Sequence, residues 1–254
     1  MKITVLGCSG GIGAGLRTTS LLVDHDVLID AGTGVGDLSL AELAGIDHVF
    51  VTHSHLDHVA SLPMMVDTVG GMRDRPLVVH ALPETIADLK QHLFNWRLWP
   101  DFTEIPSRER PYLRFSPVTV DTPITMGNRT IKPVYAQHIV PAVGYAVDSG
   151  AGTLVFTGDT MGGEPLWRTV NTMSNLRYII IETAFPDAEE ALAVMSRHLC
   201  PRLLVLELTQ LQQSAEIYVT HLKPSDGDKI MQEVAIRAAR WNPKRLLGQQ
   251  VFEL

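Results

Sequence analysis

Apolar runs that end in a histidine or an aspartate recur along this chain. Val49-Phe50-Val51 leads to His53, Ile131–Ala136 to His138, Leu154-Val155-Phe156 to Asp159, and Ile217-Tyr218-Val219 to His221. Short apolar runs bounded by turn residues read as buried strands. Strands that carry the same kind of side chain at corresponding ends predict one convergent site. The pattern predicts further strands over Ile3–Leu6, Ser20–Val23, Val27–Asp30, Leu77–His80 and Tyr178–Glu182. Helical spacing predicts helices over Leu38–Ala44, from near Val59 through Thr68, over Glu84–Leu93 and from about Asp187 to Met195. Tyr112–Val120, Arg129–Tyr135, Gly144–Val147 and Thr153–Phe156 form a second run of strands. Turn signals at Gly127-Asn128 and Ser149-Gly150 punctuate that run, and it predicts a second sheet. Two sheets that each carry helices predict an α/β fold, a four-layer αββα sandwich.

Composition narrows the class. Apolar residues make up 45% of 254 residues and are spread evenly, which predicts one folded domain over residues 1–254. No apolar run reaches the ~18 residues of a membrane span, so no membrane partner is expected. The first residues read as a strand and not as a signal peptide. Cys8 and Cys200 are the only cysteines and form no close pair, which fits reduced thiols in a cytoplasm. A net charge of −7 argues against a grip on long nucleic acid. Nine Lys/Arg against eight Asp/Glu between Ser61 and Gln137 leave no cationic insert for one.

The densest chemistry is Thr52-His53-Ser54-His55-Leu56-Asp57-His58. In extended backbone His53 and His55 point the same way. Asp57 and His58 follow as the chain turns toward a helix. Imidazole and carboxylate are ligands for zinc and its first-row neighbours. A chance polar loop is the alternative, but four such side chains in six residues offer ligands for two ions. The predicted set is His53, His55 and His138 on one ion, Asp57, His58 and His221 on the other, and Asp159 bridging. A shared carboxylate would keep the ions ~3.5–4 Å apart.

Other residues carry open readings. Gly7-Cys8-Ser9-Gly10-Gly11-Ile12-Gly13 resembles a dinucleotide loop, but that motif needs a helix next. Thr18–Val23 is β-type instead, so the glycines are expected to pack close beside the site. Asp30 either orients a ligand histidine or closes a turn. His25, His48, His80 and His92 read as ordinary polar positions. The segment Phe94–Phe102 is rich in tryptophan and phenylalanine, and fits a substrate mouth, a subunit contact in a homodimer, or core. Glu182 and His198 are either a helix cap and a surface residue, or a pair in which Glu182 fixes the tautomer of a proton-donating His198.

Taken together, the Thr-His-x-His-x-Asp-His stretch, His138, Asp159, His221 and Leu28-Ile29-Asp30-Ala31-Gly32 resemble the metallo-β-lactamase superfamily over nearly the whole chain. Phe94-Asn95-Trp96 with Trp99-Pro100-Asp101-Phe102, Glu182-Thr183, His198-Leu199 with Pro201, and Thr220-His221-Leu222-Lys223-Pro224 look like the class II cyclic-nucleotide phosphodiesterases. Pro63-Met64-Met65-Val66-Asp67 departs from the usual continuation of that family's motif. The resemblance implies the αββα sandwich and a dinuclear site between its sheets. It implies two divalent ions, zinc first with manganese or iron as alternatives. It also implies hydrolysis of a 3′,5′-cyclic nucleotide to a 5′-monophosphate by a metal-bridging hydroxide. Asp57 would orient the nucleophile, and Glu182 with His198 would be the acid/base pair. A tRNA 3′-processing endonuclease shares these features. A thioester or lactone hydrolase shares the metals but leaves the pair unexplained. A non-catalytic, metal-stabilised binding protein is the reading from another class.

Overall fold

The strand cores are apolar at consecutive positions, so both faces of each sheet must be covered. The computed structural model, which describes residues 1–254, meets this with two seven-stranded sheets. The first contains β1 (Lys2–Gly7), β2 (Ser20–Val23), β3 (Val27–Ile29), β4 (His48–Phe50), β5 (Leu77–Ala81) and β6 (Leu113–Pro117), in chain order across the sheet. The second runs in order from β7 (Ile124–Met126) through β8 (Arg129–Tyr135), β9 (Val143–Asp148), β10 (Thr153–Phe156), β11 (Leu176–Glu182) and β12 (Glu216–Thr220) to β13 (Lys244–Arg245). A last strand, Val251–Glu253, returns to pair antiparallel with β1.

Alternate residues of each run serve different layers. Val27, Ile29 and Phe50 join Tyr145, Phe156 and Ile180 in the core between the sheets. Leu28, Val49 and Val51 face the other way, onto Leu62, Met65 and Val66 of the helix Leu62–Val69. On the far side, Val155, Ile179, Ile181 and Val219 meet Trp167, Leu204 and Val234 of helices Glu164–Val170, Pro201–Leu208 and Gly227–Arg237. Three apolar interfaces therefore separate four layers, and the αββα expectation holds. No helix is long and apolar enough to cross a membrane.

The structure departs from the sequence reading in particular places. The strand expected over Tyr112–Val120 is Leu113–Pro117, and it pairs parallel with β5 in the first sheet. Parallel neighbours need a crossover. Leu89, Leu93, Phe94 and Phe102 supply it by packing on the outer face of that sheet with Leu113. The second sheet begins one hairpin later, at β7 and β8, where Gly127 turns the chain at a φ of 62°. The helix after the His53–His58 motif is two pieces, Leu56–Val59 and Leu62–Val69, with Pro63 in the first turn of the second. The helices Glu164–Val170, Pro201–Leu208 and Gly227–Arg237 and the last strand had no clear signal. The aromatic segment divides: Phe94 and Phe102 are core, while Trp96 and Leu98 are 59% and 61% exposed.

His80 is not an ordinary polar position. Its ring stacks on Phe50 with centroids 4.3 Å apart, and its Nε2 lies 3.0 Å from His48 Nδ1 on the neighbouring strand. Burial, and then the neighbouring His48, push its pKa down to about 4. An unfolded histidine titrates near 6.5. Between those values the unfolded chain holds the extra proton, so stability falls as pH drops from about 6.5 to about 4. In metal-free protein, urea unfolding should show a loss from pH 7 to pH 5 that is larger than in His80→Phe by about 2 kcal/mol. Equal losses in the two proteins would contradict this account.

Candidate metal centre

The seven residues of the predicted cluster meet at one edge of the sandwich, where strands of both sheets end. His53 follows β4, and His55 precedes the short helix that carries Asp57 and His58. His138, Asp159 and His221 follow β8, β10 and β12. They form two quartets that share Asp159: His53, His55, His138 and Asp159, and Asp57, His58, Asp159 and His221. Within each quartet the ligand-type atoms lie within 4.8 Å of one another. His58 Nε2 is 3.4 Å from Asp159 Oδ2, and His221 Nδ1 is 3.3 Å from Asp159 Oδ1. His138 Nε2 is 3.2 Å from His55 Nδ1.

The backbone is bent to make this edge. Asp30 and His221 adopt left-handed φ values of 59° and 60°, unfavourable for side chains with a Cβ. His221 is held there by its own N–H, which donates to Cys8 O at 2.9 Å. The glycine-rich loop lies against it: a Cβ on Gly10 would sit 2.4 Å from the His221 carbonyl oxygen. That close approach, with β2 and not a helix following, is what the glycines permit.

The electrostatics favour ligands over ordinary core histidines. Burial lowers His53 well below the usual range, lowers His55, and takes His138 and His221 to about 4. These rings are neutral, as metal binding requires. His58 is the exception. Burial opposes its charge, but Asp159 and Asp30 on either side raise its pKa well above the usual value. Burial likewise opposes the charge on Asp159, and His221, His58 and His53 outweigh it, holding that carboxyl well below the usual range. Within the cluster, the buried nitrogens with no hydrogen-bond partner are His53 Nε2, His58 Nε2 and His221 Nδ1. Buried polar atoms are rarely left unpaired. A cation in each quartet would satisfy them, so the donor set fits divalent metal ions.

The supporting residues explain the orientation. Asp30 Oδ2 accepts from His58 Nδ1 at 2.7 Å, and its Oδ1 accepts from the Thr52 N–H at 2.7 Å. Of the two roles left open for it, these contacts are those of an orienting carboxylate. Thr52 is a missed participant; its hydroxyl also bonds Asp30. Glu182 and His198 lie beside the cluster, with Glu182 Oε1 2.7 Å from His198 Nδ1. The His198 ring is 5.2 Å from that of His221 and 4.9 Å from that of His138. Burial pushes Glu182 up, opposed first by His198 and then by the Thr160 N–H, and its carboxylate also accepts from the N–H groups of Ala184 and Leu199. Burial pulls His198 down, and Glu182 outweighs it, so its pKa is raised. Arg197 was also missed. It ends its helix in a left-handed conformation, its carbonyl accepts from His138 Nδ1 at 3.1 Å, and its Nη1 donates to the His138 carbonyl at 2.8 Å. Nothing in the sequence pointed to this clamp, because it is made by backbone geometry.

With this geometry in hand, comparison with known proteins is direct. The family model described as the beta-lactamase superfamily domain matches residues 25–239. The chain belongs to the metallo-β-lactamase superfamily, a superfamily of metal-dependent hydrolases. It is 26% identical to a probable 3′,5′-cyclic-nucleotide phosphodiesterase of Yersinia pestis, over 88% of this chain and 78% of that protein. It is 30% identical to the ribonuclease Z of Haloarcula marismortui, over 58% of this chain and 47% of that protein. Among solved structures, unliganded yeast PDE1 superposes with a TM-score of 0.80 at 21% identity, covering 100% of this chain and 99% of that one.

A carboxylate that fixes a ligand histidine is worth about 10–100-fold in metal affinity. Asp30→Asn should therefore weaken the metal held by the His58 quartet by about that factor in competition with a chromophoric chelator. Unchanged affinity would remove Asp30 from the orienting role.

Proposed function

We propose that this protein is a metal-dependent phosphodiesterase that hydrolyses 3′,5′-cyclic nucleotides to 5′-monophosphates. The observation that carries the reading is the buried Glu182–His198 pair at the rim of the histidine cluster. A sugar alkoxide is a poor leaving group and needs a proton as its bond to phosphorus breaks. A thiolate leaving group does not, so a thioester hydrolase leaves the pair without a task. The similarity to the Yersinia phosphodiesterase over most of both chains supports the same choice.

His53, His55 and His138 would hold one divalent cation, Asp57, His58 and His221 a second, with Asp159 shared. Zinc suits this nitrogen-rich set, with manganese and iron as alternatives. Bound, the cations supply charge neutralisation at the phosphate and a lowered pKa for water. Asp57, like His55, is only partly buried, its side chain 31% exposed. It orients the attacking water and accepts its proton. Glu182 is a positioning residue: it holds Nδ1 of His198, which leaves Nε2 to face the leaving oxygen. In this reading the protein is a single cytoplasmic domain with reduced Cys8 and Cys200, acting on a small nucleotide and not on long nucleic acid.

Transfer-RNA 3′ processing is the second reading, favoured by the ribonuclease Z match. The near balance of charge between Ser61 and Gln137 weighs against it. Turnover of metal-loaded protein on cyclic AMP, cyclic GMP, a 2′,3′-cyclic nucleotide and a precursor tRNA separates the two. Cyclic-nucleotide hydrolysis is expected, and processing of the tRNA alone would overturn the proposal. His198→Ala should keep its metal and lose on the order of 10²–10⁴ in rate, the worth of a positioned acid. Near-normal turnover would remove His198 from the mechanism.

A further inference from the structure

One cation beside the centre has no carboxylate partner. Lys223 lies just past His221, on the loop that leaves β12. Its Nζ donates to the carbonyl of Gly10 at 2.9 Å. It also stands 5.8 Å from the centre of the Phe185 ring, and that ring is 5.7 Å from the His198 ring. Lys223, Phe185 and His198 thus share one wall beside the metal quartets. Of the neighbouring cations, Arg245 pairs with Asp228 at 2.7 Å and Lys244 with Glu216 at 2.6 Å, while Arg197 donates to the His138 carbonyl. The carboxylates of the site are committed elsewhere. Asp57 and Asp159 face the histidines, and Glu182 faces His198.

A lysine ammonium has three donors. One is used on Gly10, and the side chain is half-buried with no carboxylate in ion-pair contact. An ammonium pinned in this way is prepared for an anion, since the entropy of ordering its long stem is already spent. We propose that Lys223 is the substrate-anchoring cation of this centre, taking a phosphate oxygen of an anionic ester, and that the glycine-rich loop holds it in place. This rests on the phosphodiester reading for the identity of the ester, but the anion-binding role does not. It also gives that loop a second use. Gly10 must be glycine to lie on His221, and its carbonyl, so placed, fixes the lysine.

The test compares Lys223→Met and Lys223→Arg with the parent, all metal-loaded, on two esters with the same 4-nitrophenolate leaving group. One ester is the anionic bis(4-nitrophenyl) phosphate, the other a neutral phosphotriester. Charge-assisted hydrogen bonds are worth enough that Met should raise KM for the anionic ester about tenfold to a hundredfold, with kcat and metal content little changed. Binding of inorganic phosphate, followed by calorimetry, should weaken to a similar extent. Arg should restore most of both, and the neutral ester should be indifferent to either change. Equal losses on both esters, or an unchanged phosphate affinity in Lys223→Met, would overturn the assignment. A parent protein that turns over no diester, yet binds phosphate through Lys223, would instead sink the phosphodiester reading and leave the anion site standing.

Discussion

Asp159 sets the terms for the rest of the centre. It is a carboxylate 2% exposed, placed where β10 of one sheet points at the His53–His58 loop of the other. Withdrawing such a charge from water costs several kcal/mol unless it is compensated. Without a cation the compensation falls on His58, pressed between Asp159 and Asp30 and therefore inclined to hold a proton. With cations, His58 can be neutral and offer its lone pair. Proton and metal compete for the same negative well. Its place between two carboxylates sets His58 apart from the other histidines of the cluster, whose pKa values burial lowers.

The same constraint accounts for the distortions around it. Left-handed backbone at Asp30, Arg197 and His221 costs about 1–3 kcal/mol each and persists where surroundings enforce it. Each enforcement is visible. Asp30 is held by Thr52 and His58, Arg197 by the His138 carbonyl, and His221 by the Cys8 carbonyl. The strain is spent on aiming side chains. Left-handed geometry at Arg197 turns the chain so that the next residue, His198, meets Glu182, while its carbonyl reaches His138.

Much of this was legible in the chain, for identifiable reasons. Consecutive apolar positions in Val27–Ile29, Val49–Val51 and Tyr178–Ile181 announce strands covered on both faces, which almost dictates helices outside and a second sheet inside. The ligand-type residues were legible because each follows such a run. What was not legible depends on distance in space. Tyr112–Val120 has the same apolar signature whichever sheet it joins, and only the packing of Phe94 and Phe102 directs it to the first. Val251–Glu253 is too short to announce itself and is a strand because β1 offers it an edge. His48 and His80 are far apart in sequence and become a pair only when β4 and β5 align. Thr52 and Arg197 act through hydrogen bonds that no spacing encodes.

The division of the ligands between the sheets has a mechanical consequence. His53, His55, Asp57 and His58 belong to the first sheet's edge, and His138, Asp159 and His221 to the second's. Each quartet draws from both. Elsewhere the sheets are joined by apolar packing, which is non-directional and tolerates small sliding, and by a few directional contacts: Tyr145 donates to the Val51 carbonyl, the Val143 N–H to the Thr52 carbonyl, and Arg129 pairs with Asp26. Polar ligation is directional and does not. A cation in either quartet would pin the relative position of the sheets at the edge where His198 and Lys223 also converge. The placement of His198 and Lys223 would then follow from metal occupancy. His198 and Lys223 are carried by the second sheet's connections, while Asp57 is carried by the first. The gap between the proposed proton acceptor and the proposed proton donor is thus a gap between sheets, and closing it correctly is work that the apolar core alone cannot do.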